Sequence, residues 1–226
     1  FRVDYLRGYV GFEETWAAKP RSRVIRVATD GSGGDTVFEE QYWIGHVNTS
    51  PTASDILTFC HEGPWAKVDQ RIWGLNASTG EVWKIRAPVH GESVGHEYWH
   101  ADGERVGYHG RNPDGTQFLG HCRYDDTDHV ENSFPGQTGH IHSNGPGLIV
   151  GDGGRVVRLW QWTGQAYDGP RLLCRHDSSA KIQQLHVHPR FNADGTQVVF
   201  TSDVTGYGNV YLAQLPDFND LPSIQE

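Results

Sequence analysis

The segment Gln183-Gln184-Leu185-His186-Val187-His188 is the densest concentration of ligating side chains in the chain. In an extended strand, residues at i and i+2 point to the same face, so His186 and His188 would present two imidazoles together. Gln183, three residues earlier, adds a carboxamide that can swing in from the loop. Imidazole and amide donors in this pattern suit a divalent cation. Related segments occur upstream: His46-Val47-Asn48, Gly95-His96-Glu97 and His140-Ile141-His142. Each delivers an imidazole or an amide, which suggests one site assembled by several copies of one element. The competing reading of His186 and His188 is a pair of hydrogen-bonded core histidines.

A third imidazole must come from His140 or His142. Counted from the turn that follows, His142 takes the place of His100. His140 lies nearer the strand start, where the other candidate ligands sit, and is the preferred ligand. His142 is then a neighbour supporting the ligands. His96 has three readings: a fourth ligand, a general base or a structural histidine. Arg71, in Val68-Asp69-Gln70-Arg71-Ile72-Trp73, reads on position alone as a salt-bridged strand residue. The His61-Glu62 pair reads as structural or substrate-contacting. HExxH, GxSxG, CxxC and Walker patterns are absent, which removes the common zinc-protease, serine-hydrolase and P-loop readings.

The elements that must position these residues recur. Strand-like runs centre on Leu57, Val106, Ile149 and Val199, at intervals of about 43 to 50 residues. Each follows a polar turn such as Ala101-Asp102-Gly103 or Ala193-Asp194-Gly195, and each leads to a second strand such as Arg71–Leu75 or Asn209–Ala213. A weaker outer strand follows, as in Glu81–Ile85. Four strands per repeat of this length is the signature of a β-propeller blade, and 28 glycines suit its many turns. The fold class is therefore all-β, a single propeller domain over 1–226. About four and a half blades are expected: a partial blade over 1–39, then blades over 40–90, 91–135, 136–182 and 183–226. Val24-Ile25-Arg26-Val27 reads as the outer part of the partial blade, with 1–29 ragged. The innermost strand of each blade lines the channel, so the histidines converge from different blades. The blade count and the absence of any Met lead us to expect further blades upstream. A complete four- or five-bladed ring is the alternative. A partial ring would expose apolar sheet faces and associate.

The net charge of −9 argues against nucleic acid as a partner and requires local cations for any anionic substrate. Cys60, Cys122 and Cys174 are odd in number and lack metal-motif spacing, so they read as free thiols in a reducing, cytoplasmic compartment. No run is long and apolar enough for a membrane span, and no signal peptide is visible.

Several motifs together, Trp43-Ile44-Gly45-His46, Thr58-Phe59-Cys60-His61-Glu62-Gly63-Pro64, Val68–Trp73, His96-Glu97-Tyr98-Trp99 and Val198–Asp203, resemble the oligogalacturonate lyase family of pectin degradation. The resemblance runs from about Arg23 to Phe218. It implies a seven-bladed propeller with a manganese-type divalent site held by His140, Gln183, His186 and His188. It implies His96 as Brønsted base and Arg71 as its catalytic companion. The chain departs from the family in lacking N-terminal blades, in having His142 at a position expected to be apolar, and in a short loop between Val150 and Val156.

The implied reaction is β-elimination on short oligogalacturonides. Removal of the weakly acidic C5 proton builds charge on the C6 carboxylate. A divalent metal, Mn²⁺ by resemblance, would neutralise that charge. A neutral imidazole at His96 would take the proton at a pKa near operating pH. Arg71 would grip a carboxylate bidentately, stabilise charge or keep His96 neutral. A neutral ligand set leaves the metal its full charge, which would reconcile an acidic protein with an acidic ligand. Two other classes compete: a non-catalytic propeller of the TolB kind that binds a glycan or peptide, and a metal-dependent hydrolase. Formation of an unsaturated uronate separates the lyase from both.

Overall fold

The computed structural model describes residues 11–224. Of the stretch 1–29 expected to be ragged, residues 1–10 lie outside the described residues. The next segment is a short helix, α1 (Phe12–Ala18), which the strand-dominated reading did not include. The hairpin β1 (Arg21–Val27) and β2 (Gly34–Gln41) follows as a two-stranded sheet.

Three four-stranded antiparallel sheets come next, each a meander in chain order. The first holds β3 (Ile44–Thr49), β4 (Ile56–His61), β5 (Ile72–Asn76) and β6 (Val82–Ile85). The second holds β7 (Ser93–Trp99), β8 (Arg105–Arg111), β9 (Gln117–Arg123) and β10 (Val130–Ser133). The third holds β11 (Ile141–His142), β12 (Leu148–Gly153), β13 (Val156–Trp162) and β14 (Tyr167–Arg175). A final sheet of β15 (Arg190–Phe191), β16 (Gln197–Ser202) and β17 (Asn209–Gln214) has three strands. These four sheets are blades of a propeller, as the repeat predicts. The short connection after Val150 is a two-residue turn at Gly154 and Arg155, both at positive φ, which matches strand twist in a tight hairpin.

The apolar cores lie between sheets rather than within one centre. Ile72 and Ile85 of one blade pack with Val94, Val106 and Tyr108 of the next. Tyr98 and Leu119 pack with Ile149 and Trp160. Val150 and Leu159 pack with Phe191, Val198 and Phe200. Each blade thus buries its faces on its neighbours, which is why one repeat alone would not be stable. Polar turns add links between blades. Ser50 Oγ donates to the Gly103 carbonyl at 2.9 Å, and Asn144 Nδ2 donates to the Asn192 carbonyl at 2.8 Å. No helix among the described residues is long and apolar enough to cross a membrane.

Candidate metal centre and its surroundings

The inner strands do not carry their histidines as regular strands would. Pairing of β3 with β4 slips between Gly45 and Asn48, and pairing of β7 with β8 slips between Gly95 and Tyr98. His46 and His96 sit in these two bulges with φ of 47° and 56°. The left-handed region is uncommon for a side chain with Cβ, and His is one of the types that enter it. A bulge adds a residue and re-aims the side chains around it. His188 also has positive φ, 44°, although it lies outside any strand. The regular i, i+2 strand expected for His186 and His188 is not formed. Gln183–Leu185 make a 3₁₀ turn, and both histidines lie between it and β15.

Even so, His186 and His188 meet His140, which immediately precedes β11. One ring nitrogen from each of the three lies within 4.8 Å of the other two. The His140 ring is 3.8 Å from that of His188 and 5.4 Å from that of His186, centroid to centroid. His142 is elsewhere: its Nδ1 accepts the Phe191 backbone N–H, and its ring packs on Tyr98. Gln183 opens the turn three residues before His186, and its exposed amide is held by no hydrogen bond among the described residues.

Asp152 was not singled out by sequence. Its Oδ2 accepts from His140 Nδ1 at 2.7 Å, and its Oδ1 accepts the His140 backbone N–H at 2.6 Å. A carboxylate accepts only, so Nδ1 carries the hydrogen and Nε2 keeps its lone pair for a cation. Burial alone would raise the Asp152 carboxyl, but the bonds from His140 outweigh it and hold the group ionised. The signal available in sequence was an Asp within the strand Leu148–Gly153, where strands disfavour that residue. Burial first, and His140 second, lower the imidazoles of His186 and His188, the latter to about 4. Uncharged imidazole nitrogens beside a carboxylate-backed third are a fitting donor set for a divalent transition metal.

His96 stands next to this group without joining it. Its ring lies 4.8 Å from that of His140, edge to face. Burial, followed by His109 and His140, pushes its pKa down to about 2, well below the near-neutral value expected. Its Nδ1 is 2.7 Å from Nε2 of His109, another residue that sequence reading passed over. His46, His96, His140 and His188 border one cavity of about 180 Å³, together with Arg190. Arg190 makes no ion pair among the described residues.

Arg71 is buried and held by two carboxylates. Its Nη1 donates to Glu62 at 2.6 Å, and its Nε donates to Glu97. Burial would lower this guanidinium, but Glu97, Cys60 and Glu62 together raise it. Burial would raise Glu97, but Arg71 and then His46 hold it well below the usual carboxylate range. Nε and Nη1 of Arg71 are thus each engaged by a carboxylate. Its remaining nitrogen, Nη2, lies 3.4 Å from His46 Nδ1. Trp65 covers the guanidinium, with Cζ 5.2 Å from the ring centroid. The Trp65 ring also crowds Gly95, where a Cβ would come within 2.5 Å of it. His61 is held on both sides: its nitrogens face Glu40 at 2.7 Å and Asp69 at 3.0 Å, and its ring stacks on Tyr42. Cys60, Cys122 and Cys174 are free thiols.

The family model for oligogalacturonate lyase matches residues 3–158. The chain is 32% identical to an oligogalacturonide lyase of Pectobacterium atrosepticum, over 94% of this chain and 60% of that one. It is 30% identical to an oligogalacturonate lyase of Dickeya dadantii, with the same two coverages. The chain therefore spans about 60% of the length of these curated relatives. An oligogalacturonate lyase solved in complex with manganese superimposes with a TM-score of 0.79 at 29% identity, covering 96% of this chain and 60% of that one. TolB from Acinetobacter baumannii, at 13% identity and a TM-score of 0.57 over 83% of this chain and 45% of that one, shares the fold alone.

Proposed function

The chain belongs to the oligogalacturonate lyase family, and from that membership and the site's geometry we propose that it carries the catalytic centre of a metal-dependent lyase. The substrates are short oligogalacturonides, cleaved by β-elimination to unsaturated uronates. The observation that carries this reading is a base candidate beside a metal-type cluster. The His96 ring touches that of His140 yet stays outside the group formed by His140, His186 and His188.

His140, His186 and His188 would hold the ion, and Gln183 would add its amide from the adjoining turn. Manganese is the favoured metal, being the ion named with the superimposing lyase. When bound, a divalent ion supplies Lewis-acid neutralisation of the uronate carboxylate next to the C5 proton. His96 is the base. Its surroundings keep it uncharged, so its lone pair is free before substrate arrives. A substrate carboxylate beside it would raise its basicity as the proton transfers. Arg71 acts as a fixed positive charge on this side of the cavity. Glu62 and Glu97 lock it in place through Nη1 and Nε, which would leave Nη2 to face substrate.

The absence of Asp and Glu from the proposed ligand set disfavours a hydrolase. Free thiols support the cytoplasm as its compartment, which cell fractionation would check.

The test is ultraviolet absorbance during incubation of the chain with oligogalacturonides and Mn²⁺. A lyase generates the unsaturated-uronate chromophore, and a chelator stops it. New reducing ends without the chromophore would indicate a hydrolase, and binding without either product would indicate a glycan-binding propeller.

A further inference from the structure

The contact between His96 and His109 has consequences for the base. The two rings stack with centroids 5.0 Å apart, and the nitrogens approach to 2.7 Å. His109 lies on β8, paired on both sides: opposite Gly95 of β7 and Leu119 of β9. It is therefore anchored in a regular strand. His96 lies in a bulge at positive φ, so strand geometry alone does not set the direction of its ring.

Two uncharged imidazoles at this distance share one hydrogen, and only two arrangements are possible. In one, His109 Nε2–H donates to His96 Nδ1. His96 must then carry its single hydrogen on Nε2 and has no lone pair for a substrate proton. In the other, His96 Nδ1–H donates to His109 Nε2, and His96 Nε2 is open. When that nitrogen gains a proton, the Nδ1–H bond to His109 becomes charge-assisted and strengthens. Only the second arrangement makes a base.

We propose that His109 is a positioning residue: it accepts the Nδ1 hydrogen of His96, fixes its tautomer and ring plane, and presents Nε2 to the substrate. The proposal rests on the reading of His96 as the base. Burial, and then His140, lower the His109 imidazole to about 4, so its accepting lone pair persists at neutral pH. Misplacing a reacting group by about 1 Å can cost about 100-fold in rate.

Nitrogen-15 NMR of the ring nitrogens tests the tautomer in the native chain, with the His96 signals assigned by their loss in His96→Ala. The expected pattern is a protonated Nδ1 and a bare Nε2. A protonated Nε2 in the native chain would overturn the proposal. Kinetics give the second arm. His109→Leu should lower kcat by about 100-fold with KM and bound manganese unchanged. His109→Gln, which restores an acceptor oxygen, should recover most of the loss. Equal losses in two equally stable variants would indicate a packing role and overturn it. Native turnover in His109→Leu beside an inactive His96→Ala would refute the His109 role alone. Full turnover in His96→Ala would refute the base reading itself, and the His109 role with it.

Discussion

Asp152→Asn is the sharpest probe of the proposed metal centre, because it alters one charge and almost no volume. Asp152 is 5% exposed and makes two bonds to the same residue, to Nδ1 and to the backbone N–H of His140. Asparagine has one acceptor oxygen. If that oxygen stays on the backbone N–H, the NH₂ group faces Nδ1. His140 must then accept there and carry its hydrogen on Nε2, the nitrogen needed by the ion. The alternative keeps Nδ1–H bonded and strands the backbone N–H. Either outcome gives up a charge-assisted bond worth about 1.5–3 kcal/mol. Carboxylates behind ligating histidines typically contribute 10- to 100-fold to metal affinity, about 1.4 to 2.8 kcal/mol. Calorimetric titration with Mn²⁺ at fixed pH should therefore show a Kd weaker by about 10- to 100-fold in Asp152→Asn. Thermal unfolding of the metal-free variants checks that the fold is intact. An unchanged Kd in Asp152→Asn, with binding lost in His188→Ala, would refute the claim that Asp152 sets the His140 tautomer.

Three further outcomes are expected. His96→Ala should retain its manganese by elemental analysis while turnover falls by about 10² to 10⁴; loss of the metal would make His96 a ligand instead. Glu97→Gln breaks a buried ion pair with Arg71, whose partners are 2% and 8% exposed, and should cost about 3–5 kcal/mol of stability; a urea unfolding series showing less than about 1 kcal/mol would contradict this. The fold should also be acid-sensitive. Burial, with His121 and Arg190 as the respective second causes, lowers His100 to about 4 and His142 to about 3. Both are uncharged when folded and take up protons below about 6.5 when unfolded. Stability from these groups is full above that pH and falls as pH drops toward 4, by up to about 1.4 kcal/mol per unit for each histidine. A urea midpoint at pH 5 equal to or above that at pH 7 would refute it.

Much of this was legible in the residue order because it depends on local rules. The β-rich runs Ile56–Cys60 and Val198–Ser202, and the polar turns before them, follow from strand propensity and turn chemistry. Both are properties of a few neighbouring residues, and their recurrence every 43 to 50 positions marked the blades. The choice of His140 over His142 rested on position within the repeat, and the three rings do come together. The short helix Phe12–Ala18 escaped notice because seven residues carry too little periodicity to compete with strand signals.

What only the tertiary structure decided is the aim of the side chains. Strand alternation predicts the direction of a residue only while the ladder is regular, and His46 and His96 sit where it breaks. A bulge arises when cross-strand pairing and packing between blades outweigh local preference, and no window of sequence contains those forces. The partners follow from the same cause. Asp152 reaches His140 and His109 reaches His96 from the neighbouring strand, and Glu97 reaches His46 from the adjacent blade. Residue types proposed a metal, and the family resemblance a base; register and packing between blades set which nitrogens face the cavity.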